Sequence, residues 1–209
     1  MMRKLSNDPI AGVAVQQKPE QLGVFKTPEC SATIWQRQAM PNFQAWLDTL
    51  SSDNLPSTRQ ILQPQNVQAA LCDVCDAVGL TDDPHRQHLI RDISALAHLF
   101  CDLMDAPFVR LRLDRITTNA CRKFHVDAIS ARLVCTYRGT GTQYGVSVND
   151  AEPADVFTVS TYSPILLRGT LWPAQPETGL LHRSPPIEGS GETRLVLVLD
   201  PIYEMHEER

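Results

Sequence analysis

The chain has 209 residues, 43% of them hydrophobic and 21% charged, with a formal net charge of −5. That length supports one domain with a sizeable core, and the acidic balance argues against nucleic acid or an anionic membrane surface as a main partner. No apolar run approaches membrane-spanning length, MMRKLSNDPIAGVAV lacks a leader pattern, and the six scattered cysteines read as reduced thiols, so a cytoplasmic protein is expected.

In chain order, residues 1–20 are polar and aperiodic and are predicted to form a loose arm. Residues 21–107 are predicted to be a mainly helical layer, with one short strand around Thr33 to Trp35. A first helix starts at Pro41, where proline suits the opening turn, and carries Phe43, Trp46, Leu47 and Leu50 at helical spacing. A second, in QNVQAALCDVCDAVGL, buries Val67, Ala70, Leu71, Val74 and Val78 and stops at Gly79. A third, in DDPHRQHLIRDISALAHLFCDLMDAP, repeats Leu89, Ile93, Leu96, Leu99, Phe100 and Leu103, with Asp82 or Asp83 as cap and Pro107 beyond its end.

After Pro107 the period changes. FVRLRLDRI alternates apolar with charged residues, and ARLVCTYRG, VFTVSTY, PILLRGTLW, GLLHRS and TRLVLVLD are further β-rich runs between turn residues. The fold class expected is α+β, with residues 108–209 forming a barrel or sandwich core within one integrated domain.

The chemistry concentrates in that core. His125 and Asp127 stand two apart beside a strand, so their side chains point the same way. His182 follows after 54 intervening residues, and Arg194 after 11 more. Two histidines and one carboxylate on one face of a metal leave open positions, as in the facial triad of non-haem Fe(II) oxygenases, whereas a structural zinc site is closed by four protein ligands. Arg194 shares one side of the last strand with Val196 and Val198, with Leu195, Leu197 and Leu199 opposite. A guanidinium there suits a dicarboxylic cosubstrate, because a buried cation needs a partner.

This H-x-D, H, R order resembles the Fe(II)/2-oxoglutarate-dependent dioxygenases over residues 108–201. The resemblance implies a cupin-like double-stranded β-helix, or jelly roll, with Fe(II) on His125, Asp127 and His182 and 2-oxoglutarate on Arg194. It further implies Thr136, Tyr137 or Tyr144 as hydroxyl donors to the same carboxylate, and hydroxylation of a small molecule or a protein side chain. ITTNACRKFHVDAISARLVCTYRGTGTQY and GLLHRSPPIEGSGETRLVLVLDP also resemble an uncharacterised bacterial domain-of-unknown-function family often linked to zinc-limitation genes. That likeness implies a rival class, a non-enzymatic protein handling or sensing zinc or iron with the same triad. The sequence sets neither a substrate nor an oligomeric state.

Other residues carry competing readings. Cys72, Cys75, His85 and His88 spell C-x2-C-x9-H-x2-H, a finger-like zinc pattern, but both pairs fall in amphipathic helices, where such residues also serve as ordinary packing. Arg122, Lys123, Arg132 and Arg138 make either a solvated strand face or an anionic mouth. SPPIEGSGETR is expected to loop between the last two strands.

Overall fold

A computed structural model describes residues 10, 12–149, 151–174 and 178–204. Three α-helices and two sheets carry the architecture among these residues: α1 (Pro41–Thr49), α2 (Val67–Ala77) and α3 (Pro84–Met104) pack on one face of a seven-stranded sheet. Its strands are β1 (Val13–Gln16), β2 (Ala32–Trp35), β3 (Thr58–Leu62), β4 (Phe108–Ile116), β5 (Ala131–Arg138), β8 (Ile165–Arg168) and β10 (Arg194–Ile202), in the order β1-β2-β8-β5-β10-β4-β3. A smaller sheet runs β7-β6-β9, from β6 (Gln143–Val146), β7 (Phe157–Thr158) and β9 (Leu180–Arg183). Among the described residues, only β1 and β2 pair in parallel.

Local chemistry explains the helices. Asp83 caps α3 by accepting from the backbone N–H groups of His85 and Arg86, satisfying donors a free helix end would leave bare. The helix closes at Asp105 in the left-handed region, φ 53, two residues before Pro107. Gly79, φ 69, takes the same role after α2.

β10 is the spine. It pairs along its whole length with β4 and beside it with β5, and alternation sends Leu195, Leu197 and Leu199 into the helix-facing core while Val196 and Val198 face the smaller sheet. Between Leu195 and Val196 the register against β5 shifts, a bulge at the mouth of the later site.

Two expectations change here. The N-terminal half is not simply helical, since β1, β2 and β3 extend the large sheet at both edges. Within the segment expected as a loose arm, Val13–Gln16 is a paired strand and a 3-10 helix begins at Pro19; residues 1–9 and 11 of that segment lie outside the described residues. β1 escapes sequence reading because four residues with one polar end carry too little periodicity, and its pairing partner supplies the order instead.

Candidate metal centre

His125 and His182 meet through the backbone. Each donates its N–H to the other's carbonyl at 3.0 Å, a lone antiparallel bridge beside β9, and their ring centroids lie 4.5 Å apart. Asp127 sits two residues on, in a segment gripped from behind. Its carbonyl accepts from the Thr170 N–H at 2.8 Å, and that of Ile129 accepts from Leu171 at 3.0 Å. Gly169 permits this grip, because a Cβ there would lie 2.0 Å from the Ile129 carbonyl oxygen.

One ligand atom from each of His125, Asp127 and His182 falls within 4.8 Å of the other two. His182 Nε2 is 3.1 Å from Asp127 Oδ2, and His125 Nε2 is 3.5 Å from Asp127 Oδ1. His125 Nδ1 lies 2.8 Å from the Lys123 carbonyl, which can only accept, so Nδ1 holds the proton and Nε2 presents its lone pair. Arg132 orients the carboxylate, donating from Nη1 to Asp127 Oδ1 at 2.6 Å while its Nε and Nη2 grip Asp200 at 2.7 and 2.9 Å.

Burial works against the charge on Asp127, but His182 and the Arg132 guanidinium outweigh it and hold the carboxyl at about 2. Burial pushes His182 below its ordinary value, so its ring is neutral at neutral pH. Asp127 Oδ2 is buried with His182 Nε2 as its near neighbour at 3.1 Å. A buried carboxylate oxygen beside two imidazole nitrogens is a donor set for a divalent cation, and three protein ligands leave coordination positions free.

Arg194 is 1% exposed. Its Nε donates to the Thr140 carbonyl at 2.7 Å and its Nη2 reaches Thr136 Oγ1 at 3.5 Å, but its Nη1 is buried with no partner. It forms no salt bridge among the described residues; burial lowers its pKa to about 10, although the nearby Glu192 carboxylate pulls the other way. A cavity of about 120 Å³ is walled by His125, His182, Thr142, Val134, Val196 and Val198.

Of the expected hydroxyl donors, Thr136 lies beside Arg194, and Tyr144 pairs with His182 across β6 and β9 and packs with Val196 and Val198. Tyr137 does not join them. It belongs to the opposite side of β5 with Leu133 and Cys135, where its hydroxyl donates to Asp92 at 2.5 Å. Thr136 and Tyr137 are adjacent in a strand and cannot share a face, so alternation alone excludes one of the two. Sequence reasoning missed Arg112 and Asp114, which line the cavity from β4, and the grip of Arg132 on Asp127, since it read Arg132 as part of either a solvated face or an anionic mouth.

The finger-like pattern does not assemble. Cys75 is buried in the helix-facing core and its thiol is pushed up to about 11 by burial, His85 stacks on Trp46, and His88 Nε2 lies 2.8 Å from the Tyr162 hydroxyl. The triad is the one metal-competent group among the described residues.

A family model described as protein of unknown function (DUF1826) matches residues 16–200. No curated protein matches the sequence. Among solved structures, the dioxygenase for auxin oxidation 1 from Arabidopsis thaliana, in a 2-oxoglutarate binary complex, is similar at a TM-score of 0.55 and 10% identity, over 93% of each chain. The dioxygenase for auxin oxidation in rice is similar at 0.53 and 13%, over 92% of this chain and 83% of that one. At such identities the likeness is one of mixed helix-and-sheet fold. Neither comparison carries the link to zinc-limitation genes.

Proposed function

The chain belongs to the DUF1826 family, and from its site we propose that it is an Fe(II)- and 2-oxoglutarate-dependent oxygenase acting on a small molecule or a protein side chain. The observation that carries this reading is Arg194, a buried cation with an unpaired Nη1 and no salt bridge among the described residues, in the same β framework as a metal-competent triad. A protein that only handles zinc or iron has no use for such a group, whose burial without a salt bridge is costly.

The framework is read as a double-stranded β-helix. In support, β8-β5-β10-β4 forms an antiparallel wall, and β7-β6-β9, extended by the His125 bridge, faces it as the second. Residues 108–204 would then form the metal-binding core, flanked by the helices of the N-terminal half in one domain.

Each residue has a task. His125, with its tautomer fixed, His182, neutral, and Asp127, oriented by Arg132, would hold the ion. Arg194 would take the distal carboxylate of 2-oxoglutarate, assisted by the Thr136 hydroxyl and by Tyr144. Ile116, Val134, Val196 and Val198 keep water from the cavity wall. Bound Fe(II) and 2-oxoglutarate would supply oxidative chemistry in which cosubstrate decarboxylation is coupled to hydroxylation.

Anaerobic titration of the Fe(II)-loaded protein with 2-oxoglutarate tests this through its visible charge-transfer band. The band is expected in wild type, and Arg194→Ala should weaken 2-oxoglutarate binding by roughly two orders of magnitude or more while metal stays bound. Arg194→Lys, which keeps the charge but loses the fork, should fall between. His182→Ala should lose the ion itself. Bound metal without a band in wild type would overturn the oxygenase reading.

A further inference from the structure

Four charged side chains line the cavity: Arg112, Asp114, Arg132 and Arg183. Two are committed. Arg132 is held between Asp127 and Asp200, and Arg183 donates to Gln143 Oε1 at 2.8 Å with its guanidinium 4.3 Å over the Phe124 ring. The other two are not. Arg112 Nε is buried without a hydrogen bond, and its nearest carboxylate, Asp200, is 3.9 Å away and already in a two-point grip with Arg132. Asp114 makes no side-chain hydrogen bond or ion pair among the described residues, and the two do not pair with each other.

Both stand on β4, at i and i+2, and so on one face of a strand about 7 Å apart. β4 is held on both sides, by β10 and β3, and its other face is locked in the core through Val109, Leu111 and Leu113. A cation with only a long ion pair to a shared carboxylate, and an anion with no side-chain partner among the described residues, are thus fixed side by side, facing a cavity that His125 and His182 also line.

We propose that Arg112 and Asp114 are the substrate anchor and that the substrate is a small zwitterion, a free amino acid or a close analogue. Its carboxylate lies on Arg112 and its ammonium group on Asp114. What is then done to it rests on the oxygenase reading above. A purely anionic ligand would face Asp114 with like charge, and a purely cationic one would leave Arg112 uncompensated. A residue within a peptide chain carries neither terminal charge.

The test is ligand-observed NMR on the Zn(II)-loaded protein with 2-oxoglutarate, adding the standard amino acids one at a time. Each that binds is repeated as its amide and its N-acetyl derivative. At least one amino acid is expected to bind, with both derivatives weakened roughly 10- to 100-fold, the range of a lost charged hydrogen bond. Arg112→Gln should erase the discrimination against the amide, and Asp114→Asn that against the acetylated form. Circular dichroism and zinc content would verify that both variants fold. If no amino acid binds, or if the derivatives bind as well as their parents, the inference falls, and a charge-transfer band in the same protein would leave the oxygenase reading standing. If the band is absent while amino acids bind through both residues, the anchor stands and the oxygenase reading falls.

Discussion

Arg37, half-buried on the helix side of the large sheet, and Arg194, buried on its other face, are treated in opposite ways. On the helix side, Arg37 grips Asp92 with two bonds of 2.7 Å, donates to the Tyr162 carbonyl and lies over the rings of Trp35 and Tyr162. Asp92 also receives the hydroxyls of Tyr137 and Tyr162. Burial alone would lower the pKa of Arg37, but Asp92 reverses the sign. On the cavity side Arg194 has no such partner, and burial wins. Arg37, which joins a helix to the sheet, carries its counter-ion within the chain; Arg168 is buried without a salt bridge but fills both terminal nitrogens with carbonyls, whereas Arg194 leaves Nη1 without a partner.

Removing the shared anion is the hardest blow to this contrast. Asp92→Ala strands Arg37 in the protein and should cost about 3–5 kcal/mol in urea unfolding. Arg194→Met removes a buried cation that has no salt bridge, and should leave stability within about 1 kcal/mol of wild type or raise it. Equal losses from both would erase the distinction.

A smaller effect separates two neighbours. Tyr137→Phe deletes a hydrogen bond to a carboxylate and should cost about 1.5–3 kcal/mol of stability without touching the 2-oxoglutarate band. Thr136→Val should do the reverse, weakening 2-oxoglutarate binding several-fold with little change in unfolding.

The gentlest probe is pH, applied to the metal-free protein. Asp127 titrates at about 2 when folded against an ordinary 3.8, so it stabilises the fold above that ordinary value, and the contribution is lost as pH falls towards 2. His182 is depressed from 6.5, so the unfolded chain takes up the proton first and stability starts to decline below 6.5. Urea midpoints across this range should show both steps, and Asp127→Asn should remove the lower one.

The sequence made some of this visible and hid the rest for identifiable reasons. The three helices were legible because their apolar positions repeat and Pro41, Gly79, Asp83 and Pro84 punctuate them. β4, β5 and β10 were legible because they are long and alternate. The triad was legible because metal ligation restricts residue type. β3 was hidden because TRQIL is an edge strand with little apolar character, and β6 because QYGV is short and carries a glycine. The alternation of FVRLRLDRI showed which residues share a face but not what covers it, and Arg112 and Asp114 line the cavity. The Arg37–Asp92 pair spans 55 residues and leaves no local pattern at all.

The mutual hydrogen bonds of His125 and His182 join strands from distant parts of the chain, and this sets an order of events. Before the smaller sheet closes, its two imidazoles are separate weak ligands on a flexible polymer. Afterwards they are fixed beside Asp127. An ion at this site would therefore be chosen by a finished fold rather than captured by a nascent one, and once seated would cross-link the two distant segments. Its binding free energy would then add to that of the native state, so its loss would first be felt as opening of this seam, with the α3-backed side of the sheet still standing.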